Sequence, residues 1–484
     1  MSTVRRSLVY TLADSYLGLA LQLASTVILS RLLTPEQVGV FAIAAVFAAL
    51  ASTFRDFGVA EYLMQKDPLT EEHIRASTTV NIGVSWTMAL LLLVGSPWVS
   101  DFYRNPGVGD VMRVQALNFL LIPFGAVTMA RFRRELNFQP QFVAGLLSNL
   151  LSFAVAVGCA WAGMGHMALA WSSVAGVAIT VAVAQYYRPA DSPLMPGLKG
   201  IADVLHFGKH VSGIYIFGQL GRGAPEMVIG RAEGLAEVAL YSRANGLNEI
   251  FQRLVMRALL MVCLPYYAQA KRAGQPVGEA YSRSVGYLTA VGWPFFIFTG
   301  FGAFAAIRLV YGAQWLASVP LAQVLCLAAA LDLVHWMAKE ALLANGQASR
   351  ANMAQFVHQG IYVAALFAVI PFGLMGLCWA LVGAALLNLA FNQWLLQRSL
   401  GLRLDQLLQA CAPSLKVSLA GALLPALWVF AMPLNESNYL HYLLGCGGLS
   451  LGMWLLALRS FRHPLWAEVA QAATQIQRRL RPAP

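Results

Sequence analysis

Charged side chains set inside apolar stretches are the residues of this 484-residue chain with the most chemical potential. Arg222 and Glu226 are spaced i,i+4 in one such stretch, and Glu249, Arg253 and Arg257 run i, i+4, i+8 in the next. On an unbroken α-helix those last three share a face. Asp14 sits in the first apolar stretch, and Asp332 and His335 lie i,i+3 in a later one. At membrane depth a charge costs roughly 3 kcal/mol on insertion scales, so it faces a cavity or a partner. Fixed arginines offer planar, paired donors that suit phosphate. The simpler use is internal pairing, because Arg222–Glu226 and Glu249–Arg253 have the spacing of helical ion pairs. Pairing leaves Arg257 without a partner on its own helix.

The elements that carry these residues follow from composition. Apolar residues make up 58% of the chain and charged residues 11%, against about a quarter in soluble proteins. Mean hydropathy is +0.61. A span needs about 20 apolar residues, and the sequence predicts about 14 transmembrane helices. Their limits are 8–30, 37–57, 76–96, 112–131, 141–163, 166–187, 209–230, 238–264, 285–308, 318–344, 353–372, 375–396, 412–433 and 438–458. No stretch is long and polar enough for a soluble domain. The class is therefore an all-α membrane protein.

Charge gives the orientation. Lys and Arg accumulate on cytoplasmic loops. Of 33 basic residues, 24 fall at the two termini and on alternate loops. That pattern predicts cytoplasmic N- and C-termini in a bacterial inner membrane. It also accounts for the net charge of +11 without nucleic acid. The apolar segment from Ser7 to Leu33 is too long for a signal-peptide core. The six cysteines form no CxxC and read as small core residues, so no metal and no cofactor is expected. Pro464 to Leu480 has apolar residues near helical spacing, as a helix lying on the inner leaflet would.

An internal repeat is visible. Ile28-Leu29-Ser30-Arg31 matches Val228-Ile229-Gly230-Arg231, and Val38-Gly39-Val40-Phe41 matches Val238-Ala239-Leu240-Tyr241, without a gap. The first and seventh spans then correspond. This predicts two pseudo-symmetric six-helix lobes plus two C-terminal helices, in parallel orientation. The divisions are 1–187 for the N-lobe and 188–208 for a Pro- and Gly-containing cytoplasmic linker. The C-lobe takes 209–397, the two added helices 398–460, and a cytoplasmic amphipathic tail 461–484. Pro225 sits beside the charges of the seventh span and predicts a bend or short unwound turn there.

Two six-helix lobes with two extra helices resemble the multidrug/oligosaccharidyl-lipid/polysaccharide exporter superfamily. The stretch from Arg31 to Phe41 looks like the first-loop signature of Wzx-type polysaccharide flippases. Phe54-Arg-Asp56-Phe-Gly58, Phe102-Tyr-Arg-Asn-Pro106, Arg134-Glu-Leu-Asn-Phe138 and Tyr241-Ser-Arg-Ala244 are similar to later motifs. The colanic-acid/teichuronic-acid exporter subgroup is the nearest in pattern, with Ala239 standing where the family often has Gly. The resemblance implies transport of a polyprenyl-diphosphate-linked oligosaccharide between leaflets, by ion-coupled alternating access. Membrane lipid and the polysaccharide polymerase and chain-length machinery are the partners it implies. On this reading Arg222, Arg253 and Arg257 line the cavity for the diphosphate. Asp14, Glu226, Glu249 or Asp332 carries the coupling proton or sodium ion. Arg31 and Arg231, at span ends, and Arg55 and Asp56, beside the entry side, are gate candidates; interfacial anchoring and local pairing are their simpler uses. Rival readings are a drug exporter or lipid II flippase of the same superfamily, and a membrane enzyme acting on lipid-linked sugars. A cation exporter favours an acidic cavity, and the loops lack DxD, GxSxG and Walker-type GxxxxGK[ST] patterns.

Overall fold

The computed structural model describes residues 2–56, 58–189, 193, 195–368, 370–431 and 438–480, and among them helix is the only regular structure. The chain forms two compact units, Met1–Ala239 and Leu240–Pro484. In the first unit come α1 (Ser2–Leu32), α2 (Pro35–Asp56), α3 (Val59–Gln65), α4 (Glu71–Tyr103) and α5 (Pro106–Leu121). They are followed by α6 (Pro123–Arg134), α7 (Gln139–Trp161), α8 (His166–Tyr186) and α9 (Ile201–Ala232). Helix α10 (Leu235–Phe251) starts at the end of this unit and runs into the next. The second unit continues with α11 (Arg257–Arg272), α12 (Val277–Val310), α13 (Ser318–Asp332), α14 (Ala338–Ala344) and α15 (Ala348–Ala368). Helices α16 (Gly373–Leu400), α17 (Leu404–Ala431), α18 (Tyr439–Ser460) and α19 (Leu465–Leu480) complete it.

Among the described residues, nine helices are long and apolar enough to cross a membrane, and the bent pair α5–α6 makes a tenth. The chain is a multi-pass membrane protein. The other four expected segments are also helical, as α1, α9, α10–α11 and α15.

Local chemistry fixes the helix ends. Thr70 caps α4 by accepting the backbone N–H of His73, whose ring in turn accepts the Thr70 N–H. Asn105 caps α5, and Pro106 fills the first helical position, where a missing N–H costs nothing. Ile122–Pro123 bends α5 from α6 by 53°. The repeat is visible in helix boundaries: α1 ends at Leu32 and α9 at Ala232, while α2 begins at Pro35 and α10 at Leu235.

Within the first unit, α7 packs on α8 and α1, α4 on α5, and α9 on α2 and α4. Small residues permit the α2–α9 approach. A Cβ on Gly223 would lie 2.5 Å from Val46, and one on Gly230 would meet Ile43 and Tyr103. Helix α9 begins at Ile201, and the segment before it is tied to α4, where Thr79 Oγ1 donates to the Gly197 carbonyl at 2.7 Å. In the second unit α12 is the central helix, packed on α13, α17 and α18. Its buried face joins Phe251, Tyr267, Leu333, Met337 and Leu396 in one apolar core. Five of the six cysteines are buried, and all are free.

Two expectations about helix regularity fail. Helix α9 continues through Pro225 and no unwound turn forms there; Gly223 and Gly230 on its flanks lie close against Val46 and Ile43 of α2. The departure from α-geometry comes instead at Gln252–Met256, a π-helical turn between α10 and α11. A wider turn shifts the register, so position 257 leaves the line through 249 and 253.

Candidate functional site

Seen from the second unit alone, the polar site is a cavity of about 90 Å³. Asn245 and Asn248 reach it from α10, Gln252 and Met256 from the π turn, and Asp332 from the end of α13. Tyr362 of α15 adds a hydroxyl, and Phe251, Phe296, Leu325 and Trp336 supply apolar walls. Local helix geometry positions the acid. Asp332 is the last α-helical residue before a 3-10 turn, Leu333–His335, so the helix narrows where the carboxylate enters. The π turn faces the same space. Such turns concentrate at functional sites because they aim side chains that a regular helix would turn away. The lining is one carboxylate, three side-chain amides and a phenol, a set that can hold a proton or a small cation with water.

Sequence reading marked Asp332 but missed Asn245, Asn248, Gln252 and Tyr362. The signal for the first three was the presence of side-chain amides in helices of an apolar protein. Arg243 stood in the Tyr241-Ser-Arg-Ala244 motif without an assigned role. That guanidinium lies over the rings of Tyr311 and Trp315 at 5.1 and 5.0 Å, tying α10 to the end of α12.

The candidate substrate arginines divide between the units. Arg222 is on α9, in the first unit; its Nη2 and Nε donate to Gln219 Oε1 at 2.7 and 3.1 Å, and its side chain is exposed. Arg253 is in the π turn, in the second unit, and pairs with Glu249 at 2.7 Å with both side chains about half exposed. The predicted Glu249–Arg253 pair forms, and Arg222 takes a neutral amide as a partner. Glu226 lies one turn beyond Arg222 and is half-buried. The side chains of Arg257, Asp14 and Asp56 lie outside the described residues.

The gate candidates are placed individually. Arg31 and Arg231 are exposed in the last turns of α1 and α9. Arg231 sits over the Phe102 ring at 5.2 Å, an anchoring contact typical of a cation beside an aromatic face. Arg55 is half-buried in the last turn of α2. Close by Arg231, an open cavity of about 320 Å³ is lined by Glu36, Arg104, Asn105 and Glu237. Among the described residues no group of three or more His, Cys, Asp or Glu side chains could hold a metal ion.

This helix arrangement is the fold of two solved multi-span membrane proteins. A structure described as the lipid II flippase MurJ in an inward closed conformation superimposes with a TM-score of 0.72 at 12% identity, covering 94% of this chain and 99% of that one. An inward-facing multidrug resistance MATE family transporter of the MOP superfamily gives 0.62 at 14% identity, over 80% and 98%. Sequence then gives the family. A model described as "Polysaccharide biosynthesis protein" matches residues 28–320, and the chain belongs to that family. Teichuronic acid biosynthesis protein TuaB of Bacillus subtilis is 26% identical over 73% of this chain and 74% of its own. Lipopolysaccharide biosynthesis protein WzxC of Escherichia coli is 22% identical, over 64% of this chain and 63% of its own. Succinoglycan biosynthesis transport protein ExoT of Rhizobium meliloti is 24% identical, over 67% and 66%.

Proposed function

We propose that this protein is a flippase that moves a polyprenyl-diphosphate-linked oligosaccharide across the bacterial inner membrane for polysaccharide assembly, coupled to an ion. Family membership supports the cargo class, as do TuaB, WzxC and ExoT, which are named for polysaccharide biosynthesis and transport. The observation that supports it is an arginine kept partly exposed in each unit. Arg222 leans on a neutral amide and Arg253 on a half-exposed acid. Each side chain is partly exposed and can turn to a phosphate group. Arg257 is proposed to join them. A drug-cation exporter would use the opposite sign of charge.

Asp332 is the favoured coupling residue among Asp14, Glu226, Glu249 and itself, because of these four it is the one that lines the amide-bearing cavity. Both termini are cytoplasmic on this reading, transport proceeds by alternating access, and Arg31, Arg231, Arg55 and Asp56 act at the gates. The amphipathic α19 lies on the inner leaflet. The polymerase and chain-length machinery receive the product.

The experiment is translocation of a fluorescent polyprenyl-diphosphate oligosaccharide in proteoliposomes, with and without a pH or sodium gradient. Intact lipid-linked product in the opposite leaflet is expected. Elongated or transferred sugar, or no movement with a folded protein, refutes the reading.

A further inference from the structure

The wall behind the Asp332 cavity holds a second group that the function above does not use. Tyr281 of α12 is fully buried, and its hydroxyl lies 3.1 Å from the Val334 carbonyl and 2.9 Å from His335 Nδ1. The two rings stack at 15° with centroids 6.1 Å apart. One phenolic proton cannot serve two acceptors. When it goes to the Val334 carbonyl, Nδ1 must carry its own proton and donate it to the phenol oxygen. The lone pair is then on Nε2. His335 is 8% exposed, and its Nε2 has no hydrogen-bond partner among the described residues. A buried polar atom left in this way is rare and asks for an explanation.

We propose that His335, held by Tyr281, is the proton-holding partner of Asp332. This rests on Asp332 as the coupling site and deepens that reading to the identity of the ion. Residues three apart on a helix have Cβ atoms about 5–6 Å apart, so one water or a small side-chain swing joins the Asp332 carboxyl to Nε2. In the transfer an O–H bond of the carboxylic acid breaks and an N–H bond forms at Nε2. The products are a carboxylate and an imidazolium, and no other reagent is required. The loaded pair has no net charge with the proton on either member, which suits an apolar surrounding.

The titratable groups packed around His335 are compatible with this. In the core that includes the neighbouring Leu333 and Val334 they are Tyr267 and Cys263 of α11, Tyr281 of α12, Cys326 of α13 and Cys411 of α17, with Glu340 of α14 acting on Tyr281 and Tyr267. None of the buried ones is a cation competing for the carboxylate. A hard metal cation wants oxygen ligands and gains nothing from an imidazole, so the pair points to a proton rather than sodium.

The test uses the full chain in proteoliposomes, following the same fluorescent lipid-linked oligosaccharide under imposed pH or sodium gradients and across a pH series. Tyr281→Phe keeps the ring but loses the hydroxyl. His335→Gln keeps an amide but cannot exchange a proton. The expected results are loss of stimulation by the pH gradient in H335Q and a displaced pH profile in Y281F, with gradient-independent exchange retained. Thermal melts establish that each variant is folded, and Y281F decides alone if H335Q is not. Unaltered pH profiles and pH-gradient stimulation in the folded variants would overturn the proposal. Asp332→Asn separates the two readings: if it abolishes coupling while the His335 and Tyr281 variants stay normal, the Asp332 site stands and His335 is structural. If D332N remains coupled, the site itself is wrong.

Discussion

Gly39 of α2 lies so close to Leu235 that a Cβ there would overlap the Leu235 carbonyl oxygen. The first turn of α2 thus rests on backbone at the start of α10, and only hydrogen fits between. Gly39→Ala is expected to destabilise the protein by about 3 kcal/mol, the upper part of the overpacking range. Thermal melts of detergent-purified protein check this against Gly83→Ala, where a Cβ meets nothing within 4 Å. The control should melt at or above the wild-type temperature, since alanine is the better helix former. A G39A melt equal to wild type would show that the approach is not close.

How much of this was visible in the sequence depends on distance along the chain. Apolar runs of span length mark helices directly, and the matched Arg31 and Arg231 segments located equivalent helix ends. The Glu249–Arg253 pair was legible because it is local, one turn apart. The cavity was not, because Asn248, Asp332 and Tyr362 come from three different helices and only folding brings them together. The π turn at Gln252–Met256 carries no Pro or Gly to announce it, whereas Pro225 announced a bend or unwound turn and helix α9 runs through it without unwinding.

His463 gives a pH prediction at the junction of α18 and α19. Its Nδ1 accepts the Leu465 N–H at 3.1 Å, so in the neutral ring Nε2 carries the proton and faces Ser414 Oγ at 3.2 Å. Ser414 then donates to the Gly286 carbonyl at 2.8 Å. Burial lowers the imidazole below its ordinary 6.5, so the neutral form is the folded one. The unfolded junction binds more protons between the lowered and ordinary values. Stability is therefore full above about 6.5 and falls as pH drops below it. Hydrogen exchange of the α19 amides should accelerate on going from neutral to acidic pH, and His463→Asn should remove that dependence. Equal exchange at both pH values in the wild type would refute the latch.

Arg243 is predicted to be structural. Its guanidinium is clamped between Tyr311 and Trp315, and cation–π contacts shielded from water contribute about 2 kcal/mol. Arg243→Ala should lower the melting temperature by several degrees, and Arg243→Lys should recover part of the loss. Transport per folded molecule should stay near wild type. A folded R243A with normal stability and no transport would instead put this residue on the cargo path.

The sharpest test of the arginine reading is at Arg253. Its 2.7 Å pair with Glu249 admits two uses. If the pair serves the helix, exchanging the two residues preserves it, because an exposed i,i+4 pair contributes only about 0.3–0.5 kcal/mol in either order. If Arg253 serves a diphosphate, what matters is a positive charge at the π turn, and the exchange puts a carboxylate there. The expected outcome is that Arg253→Ala reduces translocation strongly with little change in melting temperature, and that the double variant Glu249→Arg/Arg253→Glu does not recover it. Arg253→Lys should retain part of the activity, since a single ammonium keeps the charge but loses the paired donors. Recovery in the exchanged variant would assign Arg253 to the helix and remove it from the cargo site.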